Sequence, residues 1–257
     1  MSRGELDNTT LASIWEQLPS IEDLEKTVLS LSPDLISAKF KSDSSVPSAS
    51  VCLQDAVNTL AEARYALHEA LAHKIWYLEK AKEKNKFGAV FFSRFYMDDV
   101  ALRLYSAGEH LAQAVVDMLE IEEKELKPHK KGKTSRQAIV GCYLRSEKPT
   151  HPVAVAISGL DESTEWKDTR KYRDNWVHNQ PPLVRGLGIV YRRNKQRWQI
   201  SDDGKHRELH FGGGDEPEYS VEDLLRFIQP ALSQFVKTCN DVVQFYLEIL
   251  RSTDEHI

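Results

Sequence analysis

The chain has few cysteines and no long apolar segment. Its 257 residues include only three cysteines, Cys52, Cys142 and Cys239, which lie far apart without a CxxC pair. This pattern argues against a disulfide framework and against a cysteine zinc site, and it predicts a reducing compartment. No segment reaches the ~18–20 apolar residues of a membrane span, and residues 1–30 lack the pattern of a signal peptide. We therefore expect a cytoplasmic protein that does not enter a membrane.

Several nucleotide-binding and catalytic motifs are also missing. The GKT at 132–134 would need a glycine five positions before Gly132 to form a phosphate loop, and Lys127 stands there. The HRELH at 206–210 carries Arg207 where a zinc-protease helix needs glutamate, and no G-x-S-x-G or GxGxxG occurs. We therefore predict neither a metal nor a cofactor. The net charge of −5 argues against nucleic-acid binding over the whole surface, so such binding needs a local basic patch.

Apolar spacing predicts a mostly α protein built as an antiparallel helical bundle. Residues 9–40 show short helical patterns interrupted by Pro19 and Pro33, and the serine-rich 42–50 segment predicts a loop. Amphipathic patterns at about 51–85 and 91–126 predict two long helices that pack antiparallel. We therefore divide the chain into an N-terminal helical extension and linker, 1–46, and a helical domain, 47–257.

Further helices are predicted in the second half. A third opens behind Ser135, and a fourth is capped by Asp161 or Ser163 and ends at two prolines, 181–182. A last helix begins at a capping box and runs to about residue 250, with a proline at 230 that should kink or break it.

A small β insertion, at about 187–214, is predicted before the last helix. The 187–201 segment reads as two short strands around a polar RNKQ turn, and 207–211 as a third, giving a hairpin or three-strand unit. Basic residues in and before it alternate with aromatic ones, which suits single-stranded nucleic acid. We expect substrate binding by Arg185, Arg192 and Arg193, together with Asn179. A solvated hairpin tip explains the same pattern equally well.

The stretch KYRDNWVHNQPP, 171–182, concentrates Arg173, Asp174 and His178 at the end of the fourth helix. In one interpretation it is an ordinary charged helix end, where Arg170 and Asp174 form a surface pair worth ~0.3–0.5 kcal/mol. In the other, Asp174 accepts a hydrogen bond from the imidazole of His178 and leaves the other ring nitrogen free for proton transfer. The spacing leaves both interpretations open.

The functional interpretation needs Arg173 and His178 to act together. They lie about 140° apart around a regular helix, so they cannot meet side by side unless the helix end distorts or a second copy completes the site. A composite site predicts a homodimer. Arginine offers a planar fork to phosphate oxygens, and histidine moves protons near neutral pH. Together they suit cleavage of RNA without a metal, in which the ribose 2′-hydroxyl attacks the adjacent phosphate.

The six-residue segment RDNWVH, 173–178, placed late in a helical bundle, resembles the R-x4-6-H motif of the HEPN superfamily. The 104–119 helix, with Glu109 facing inward, is similar to the long second helix of that family. The resemblance implies a metal-independent endoribonuclease that leaves 2′,3′-cyclic phosphate ends. In that activity His178 would be the proton shuttle, Arg173 the phosphate binder and Asp174 the residue that orients the imidazole.

The resemblance also implies partners and an alternative. Many HEPN proteins belong to toxin–antitoxin or antiphage systems, which implies RNA as substrate and an antitoxin or a nucleotidyltransferase as partner. The alternative function is a non-catalytic HEPN-like module that binds RNA, a nucleotide or a protein partner. The N-terminal extension and the β insertion are absent from minimal family members.

Overall fold

The structure, a computed structural model, describes residues 6–178, 181–187, 196–200, 204, 207–211 and 217–254. These ranges are mostly helical and pack as a bundle, which confirms the mostly α prediction. The first elements are α1 (Asn8–Glu16), α2 (Glu22–Leu29), α3 (Pro33–Ser37), α4 (Val46–Ile75) with a π-helical turn (Trp76–Lys80), and α5 (Lys86–Met118). The remaining elements are α6 (Glu123–Leu126) with a 3-10 turn (Lys127–Lys130), α7 (Arg136–Glu147), α8 (Pro152–Glu162), α9 (Thr164–His178), β1 (Gln196–Ile200), β2 (Arg207–Phe211) and α10 (Val221–Asp254).

The two long helices α4 and α5 form the predicted antiparallel pair. Ser93 Oγ donates to the carbonyl oxygen of Ala70 at 3.0 Å near one end of the pair. Ser45 Oγ donates to the carbonyl oxygen of Asp117 at 2.9 Å near the other end. Residues late in α4 therefore face residues early in α5, so the two helices run antiparallel. Small buried side chains on the α4 side of this seam let the helices approach closely: Ala49, Ala56, Ala63 and Ala70.

The ends of these helices differ from the prediction. The predicted 42–50 loop is wrong in its second half, because α4 begins at Val46. Pro47 is tolerated in the first turn, where a backbone N–H has no intrahelical partner. Val46 is buried, and its carbonyl oxygen accepts a hydrogen bond from the hydroxyl of Tyr246 at 2.9 Å. At the far end, α5 stops at Met118 rather than near 126, since Glu120 adopts a φ of 50° that a helix cannot accommodate.

The N-terminal helices share the core of the bundle. Leu24 and Val28 of α2 belong to the same buried cluster as the apolar face of α4. Gln54 of α4 donates to the carbonyl oxygens of Val28 and Leu31 at 3.0 and 2.8 Å, which fixes the end of α2 against α4. The predicted short helices at 9–40 are therefore present and packed.

Three predicted caps are confirmed. Ser135 Oγ accepts from the backbone N–H of Ala138 at 3.2 Å and opens α7. Ser163 Oγ accepts from the N–H of Trp166 at 3.0 Å, so Ser163 rather than Asp161 caps α9. A reciprocal pair of bonds between residues 220 and 223 opens α10, which continues through the proline at 230 as one helix. Helix α8 has no counterpart among the predicted helices.

Strands β1 and β2 pair antiparallel, with Gln196 opposite Phe211 and Ile200 opposite Arg207. Gln196 closes the predicted RNKQ turn in sequence but lies within β1, so the described pairing joins 196–200 to 207–211. Residues 188–195, which include the other predicted strand, lie outside the described residues. Within the described ranges, no helix combines the length and apolarity that crossing a membrane requires.

Candidate functional site

Helix α9 presents the R-x4-H segment because its opposite face is fixed in the core. Trp166, Thr169 and Tyr172 recur every three residues and are buried. The indole ring of Trp166 packs edge-on against Phe235 of α10, with centroids 4.7 Å apart. Since these residues occupy one side of α9, the side chain of His178 at its end is left exposed.

A half-buried acid on α5, Asp98, anchors the second half of α9. The hydroxyl of Tyr172 donates to Asp98, and Arg94 Nε lies 3.5 Å from the other carboxylate oxygen of Asp98. Burial raises the pKa of Asp98 above its ordinary value, although hydrogen bonds from Tyr172 and Trp176 and the charge of Arg94 oppose that rise. Burial and the nearby Asp98 carboxylate likewise raise the pKa of Tyr172. Asp98 therefore sets the rotation of α9 around its axis.

The candidate catalytic pair meets within one chain. Arg173 Nη1 lies 3.4 Å from His178 Nε2, at the long end of hydrogen-bond distance. The guanidinium of Arg173 stacks over the ring of Tyr105 on α5, with Cζ 3.8 Å from the centroid. That stacking draws the long arginine side chain around the helix end and brings it to the imidazole. The geometric reason for a composite site is therefore removed.

Asp174 holds the arginine and not the histidine. Its Oδ1 accepts from Arg173 Nη1 at 2.9 Å, and the described residues show no hydrogen bond between Asp174 and His178. This replaces the predicted Asp174–His178 pair. The predicted Arg170–Asp174 surface pair is replaced as well, because Arg170 Nη1 lies 3.9 Å from Asp161 Oδ1.

Glu109 faces inward from α5, toward the start of α7. Its carboxylate accepts from the backbone N–H groups of Arg136 and Gln137 at 2.9 and 3.2 Å. It therefore occupies the positive N-terminal end of α7, one helical turn after Tyr105. Burial raises the pKa of Tyr105, and the charge of Glu109 adds to that rise, so the phenol stays neutral under Arg173.

A basic cleft of about 560 Å³ adjoins the pair and was not predicted as a site. Tyr105 and Asp174, which touch Arg173, also line this cleft. Its cationic side chains come from three parts of the chain: Lys133, Arg145, Lys167 and Arg170. Residues 127–136 form a basic segment in the sequence, but the other cations of the cleft are scattered along α7 and α9.

The predicted substrate-binding residues are only partly described. Arg185 is exposed, and its backbone N–H donates to the carbonyl oxygen of Tyr219 at 2.8 Å. Asn179, Arg192 and Arg193 lie outside the described residues. Within the ranges that are described, no group of three or more His, Cys, Asp or Glu side chains could hold a metal ion.

Comparison with known proteins adds no relative. No protein-family model, curated protein or solved structure matches the chain.

Proposed function

We propose that the chain is a metal-independent endoribonuclease of HEPN type. The observation that carries the proposal is the 3.4 Å approach of Arg173 Nη1 to His178 Nε2, with the imidazole exposed at the end of α9. This approach puts a phosphate-binding cation and a proton-transfer group within reach of the same phosphodiester. RNA is the substrate class because its 2′-hydroxyl supplies the nucleophile.

In the proposed reaction, the neutral imidazole of His178 takes the proton of a ribose 2′-hydroxyl. The 2′ oxygen forms a bond to the adjacent phosphorus, and the bond from phosphorus to the 5′ oxygen breaks. The imidazolium returns its proton to that departing oxygen, leaving a 2′,3′-cyclic phosphate and a 5′-hydroxyl. Acid–base help of this kind is worth ~10²–10⁴-fold in rate.

Arg173 stabilises the charge that develops on the phosphate oxygens. Its side chain is only 14% exposed, between Tyr105 and Asp174, so its position is set before substrate arrives. Asp174 and His178 both meet Nη1, which leaves Nη2 as the outward donor for phosphate. Asp174 thus orients the arginine in this proposal.

A homodimer remains part of the proposal, on a different observation. Phe87, Phe91 and Phe95 of α5 are 56%, 46% and 60% exposed and lie on one helix face. Trp176 is 36% exposed on α9 and lies near Asp98, which follows Phe95 by three residues, so it extends this apolar patch to the end of α9. A second copy that packs its own patch here would cover the aromatics and bring the two sites together. An antitoxin or nucleotidyltransferase is the further partner class we propose.

The test is cleavage of single-stranded RNA in the presence of a chelator. We expect 2′,3′-cyclic phosphate ends and intact DNA, because the nucleophile is the 2′-hydroxyl. His178→Ala should lower the rate by ~10²-fold or more, and Arg173→Lys by ~10²-fold, since lysine lacks the fork. His110→Ala on α5 and Arg226→Lys on α10 are matched controls that should keep wild-type rates.

Two outcomes would contradict this proposal. Full activity in His178→Ala would remove the proton shuttle. Activity that disappears with chelator and returns with magnesium would replace the mechanism. Binding of RNA without any cleavage would instead favour the non-catalytic module.

A further inference from the structure

The basic cleft beside Arg173 has a net positive lining. Asp161 is the most enclosed of its acids, with a side chain 9% exposed, and it pairs with two of the cations. Arg145 Nη1 lies 3.1 Å from Asp161 Oδ2, and Arg170 Nη1 lies 3.9 Å from Asp161 Oδ1. One carboxylate therefore orients two guanidinium groups and neutralises only one of their charges. Gly141 makes room for Asp161, because a Cβ there would lie 3.1 Å from Oδ2.

Two lysines of the cleft, Lys133 and Lys167, form no ion pair with the described residues, and Lys133 is the less exposed of the two. The side chain of Lys133 is half-buried. The preceding turn presents it to the cleft: the N–H of Lys133 donates to the carbonyl oxygen of Lys130 at 3.0 Å, and Gly132 between them has a φ of 72°. A partly desolvated ammonium group without a carboxylate favours an anionic ligand.

The acids of the cleft do not cancel these charges. Asp161 is matched by the two arginines, and Asp174 by Arg173 at 2.9 Å. Glu162 is exposed, and its own carbonyl oxygen accepts from Lys167 Nζ at 2.9 Å, which holds that ammonium at the rim. The cleft thus keeps positive charge at Lys133, at Lys167 and at the arginine pair.

Backbone amides do not supply the recognition here. The first N–H groups of α7 face this region, but Glu109 already accepts from Arg136 and Gln137, and Ser135 Oγ accepts from Ala138. An anion in the cleft must therefore be bound by the lysine and arginine side chains. Such side chains suit phosphate groups, which accept from several charged donors at once.

We infer that this cleft binds a backbone phosphate of the single-stranded RNA substrate, next to the phosphate at which Arg173 and His178 act. The inference rests on the proposed function, since it assigns a second contact to the same strand. The inference is supported because the cleft is continuous with the surroundings of Arg173: Tyr105 and Asp174 contact Arg173 and also line the cleft. A strand seated at Arg173 would therefore extend into the positive cleft.

The first test is binding of a labelled eight-nucleotide RNA over a series of salt concentrations. The full chain carrying His178→Ala is used so that the RNA stays intact. Lys133→Gln removes one unpaired charge of the cleft, and Lys131→Gln is the matched control, an exposed lysine of the same loop that does not line the cleft. We expect Lys133→Gln to reduce the slope of log affinity against log salt by ~0.7, the value for one single-strand phosphate contact. Lys131→Gln should leave the slope unchanged.

The second test compares substrate lengths in the chain with His178 intact. Lys133→Gln should raise KM several-fold for the eight-nucleotide RNA and leave a dinucleoside monophosphate unaffected, because the latter has no second phosphate. A competition arm with adenosine monophosphate separates an RNA strand from a free nucleotide. Adenosine monophosphate should bind far more weakly than the RNA.

The outcomes separate this inference from the proposed function. If the chain cleaves RNA but Lys133→Gln has wild-type KM and salt slope, the inference fails and the endoribonuclease stands. If no cleavage occurs but only Lys133→Gln flattens the salt slope, the cleft stands and the catalytic proposal fails. Equal effects of both lysine variants, no RNA binding at all, or tighter Lys133-dependent binding of the mononucleotide would each overturn the inference.

Discussion

Tyr172→Phe is the most informative single change for testing how the hydrogen bond to Asp98 stabilises helix α9, which carries the site. It removes one hydroxyl and no apolar volume, and that hydroxyl donates to Asp98, whose side chain is only 13% exposed. A hydrogen bond to a charged group contributes ~1.5–3 kcal/mol, and an enclosed carboxylate that loses a donor has little water to replace it. We expect Tyr172→Phe to lower the free energy of unfolding by ~2 kcal/mol at pH 7.5.

The loss should depend on pH with a definite sign. Burial raises the pKa of Asp98 in the folded protein, and the Tyr172 hydrogen bond opposes that rise. Without the hydroxyl, the folded pKa moves still higher above the unfolded value. The stability linked to protonation of Asp98 is then present at low pH and lost as pH rises through the folded pKa. The variant should therefore lose more stability at pH 7.5 than near pH 4.

Urea denaturation followed by circular dichroism at both pH values measures this effect. Tyr143→Phe is the matched control, because Tyr143 is also a buried ring whose hydroxyl donates to a carboxylate, Glu125, at 2.9 Å. Glu125 is exposed, so water can replace the lost donor and the loss should be clearly smaller than in Tyr172→Phe. Equal losses in the two variants, or a loss in Tyr172→Phe that does not change with pH, would refute the reasoning.

The remaining predictions concern the charge and the surface of the site. Asp174→Asn removes a negative charge beside Arg173 and from the wall of the cleft, so the labelled RNA should bind the His178→Ala background several-fold more tightly in the same salt-series binding assay; weaker binding would contradict this charge effect. Phe91→Lys with Phe95→Lys should shift the chain from dimer to monomer in analytical ultracentrifugation, while Val155→Lys, a charge added at an exposed apolar position of α8, should not. A wild-type monomer at tens of micromolar would contradict the dimer proposal directly.

Local signals were enough to predict much of the fold. The caps at Ser135 and Ser163 could be predicted because a serine just before an apolar helical pattern can accept a hydrogen bond from a backbone N–H of the first helical turn. The helical start of α4 could not be predicted in the same way, because a serine-rich segment with Pro47 has the composition of a loop. Only the burial of Val46 and its bond to Tyr246, 200 positions away, make it helical. Tertiary contacts overrode local propensity there.

Helix α8 was missed for a related reason. Its PVAVAISGL segment alternates branched and small residues and includes Gly159, which weakens a helical pattern. His151 is the N-cap of α8 in the structure: its Nδ1 accepts a hydrogen bond from the backbone N–H of Val153 at 3.3 Å. Histidine is an uncommon N-cap, so the sequence gives only a weak signal for the start of α8.

The sequence suggests the residues of the candidate site but not the contacts that they make. The spacing of Arg173 and His178 gives the angle between their Cβ directions, yet the arginine stem is long enough to bend toward a distant support. That support, Tyr105, comes from α5 and shows no link to the motif in sequence. The cleft was equally hidden, because Lys133, Arg145 and Arg170 meet only when three elements pack.

Tyr105 and Glu109 lie one turn apart on α5, so this helix fixes the distance between the two parts of the site that they contact. Tyr105 supports the arginine from α9, and Glu109 anchors the start of α7, which carries one wall of the cleft. The two anchors are about 6 Å apart along one helix, a spacing that a folded helix cannot change. If the proposed function holds, this spacing would fix the distance between the two proposed phosphate positions in advance, so recognition would depend on preorganised side chains and not on closure of the site.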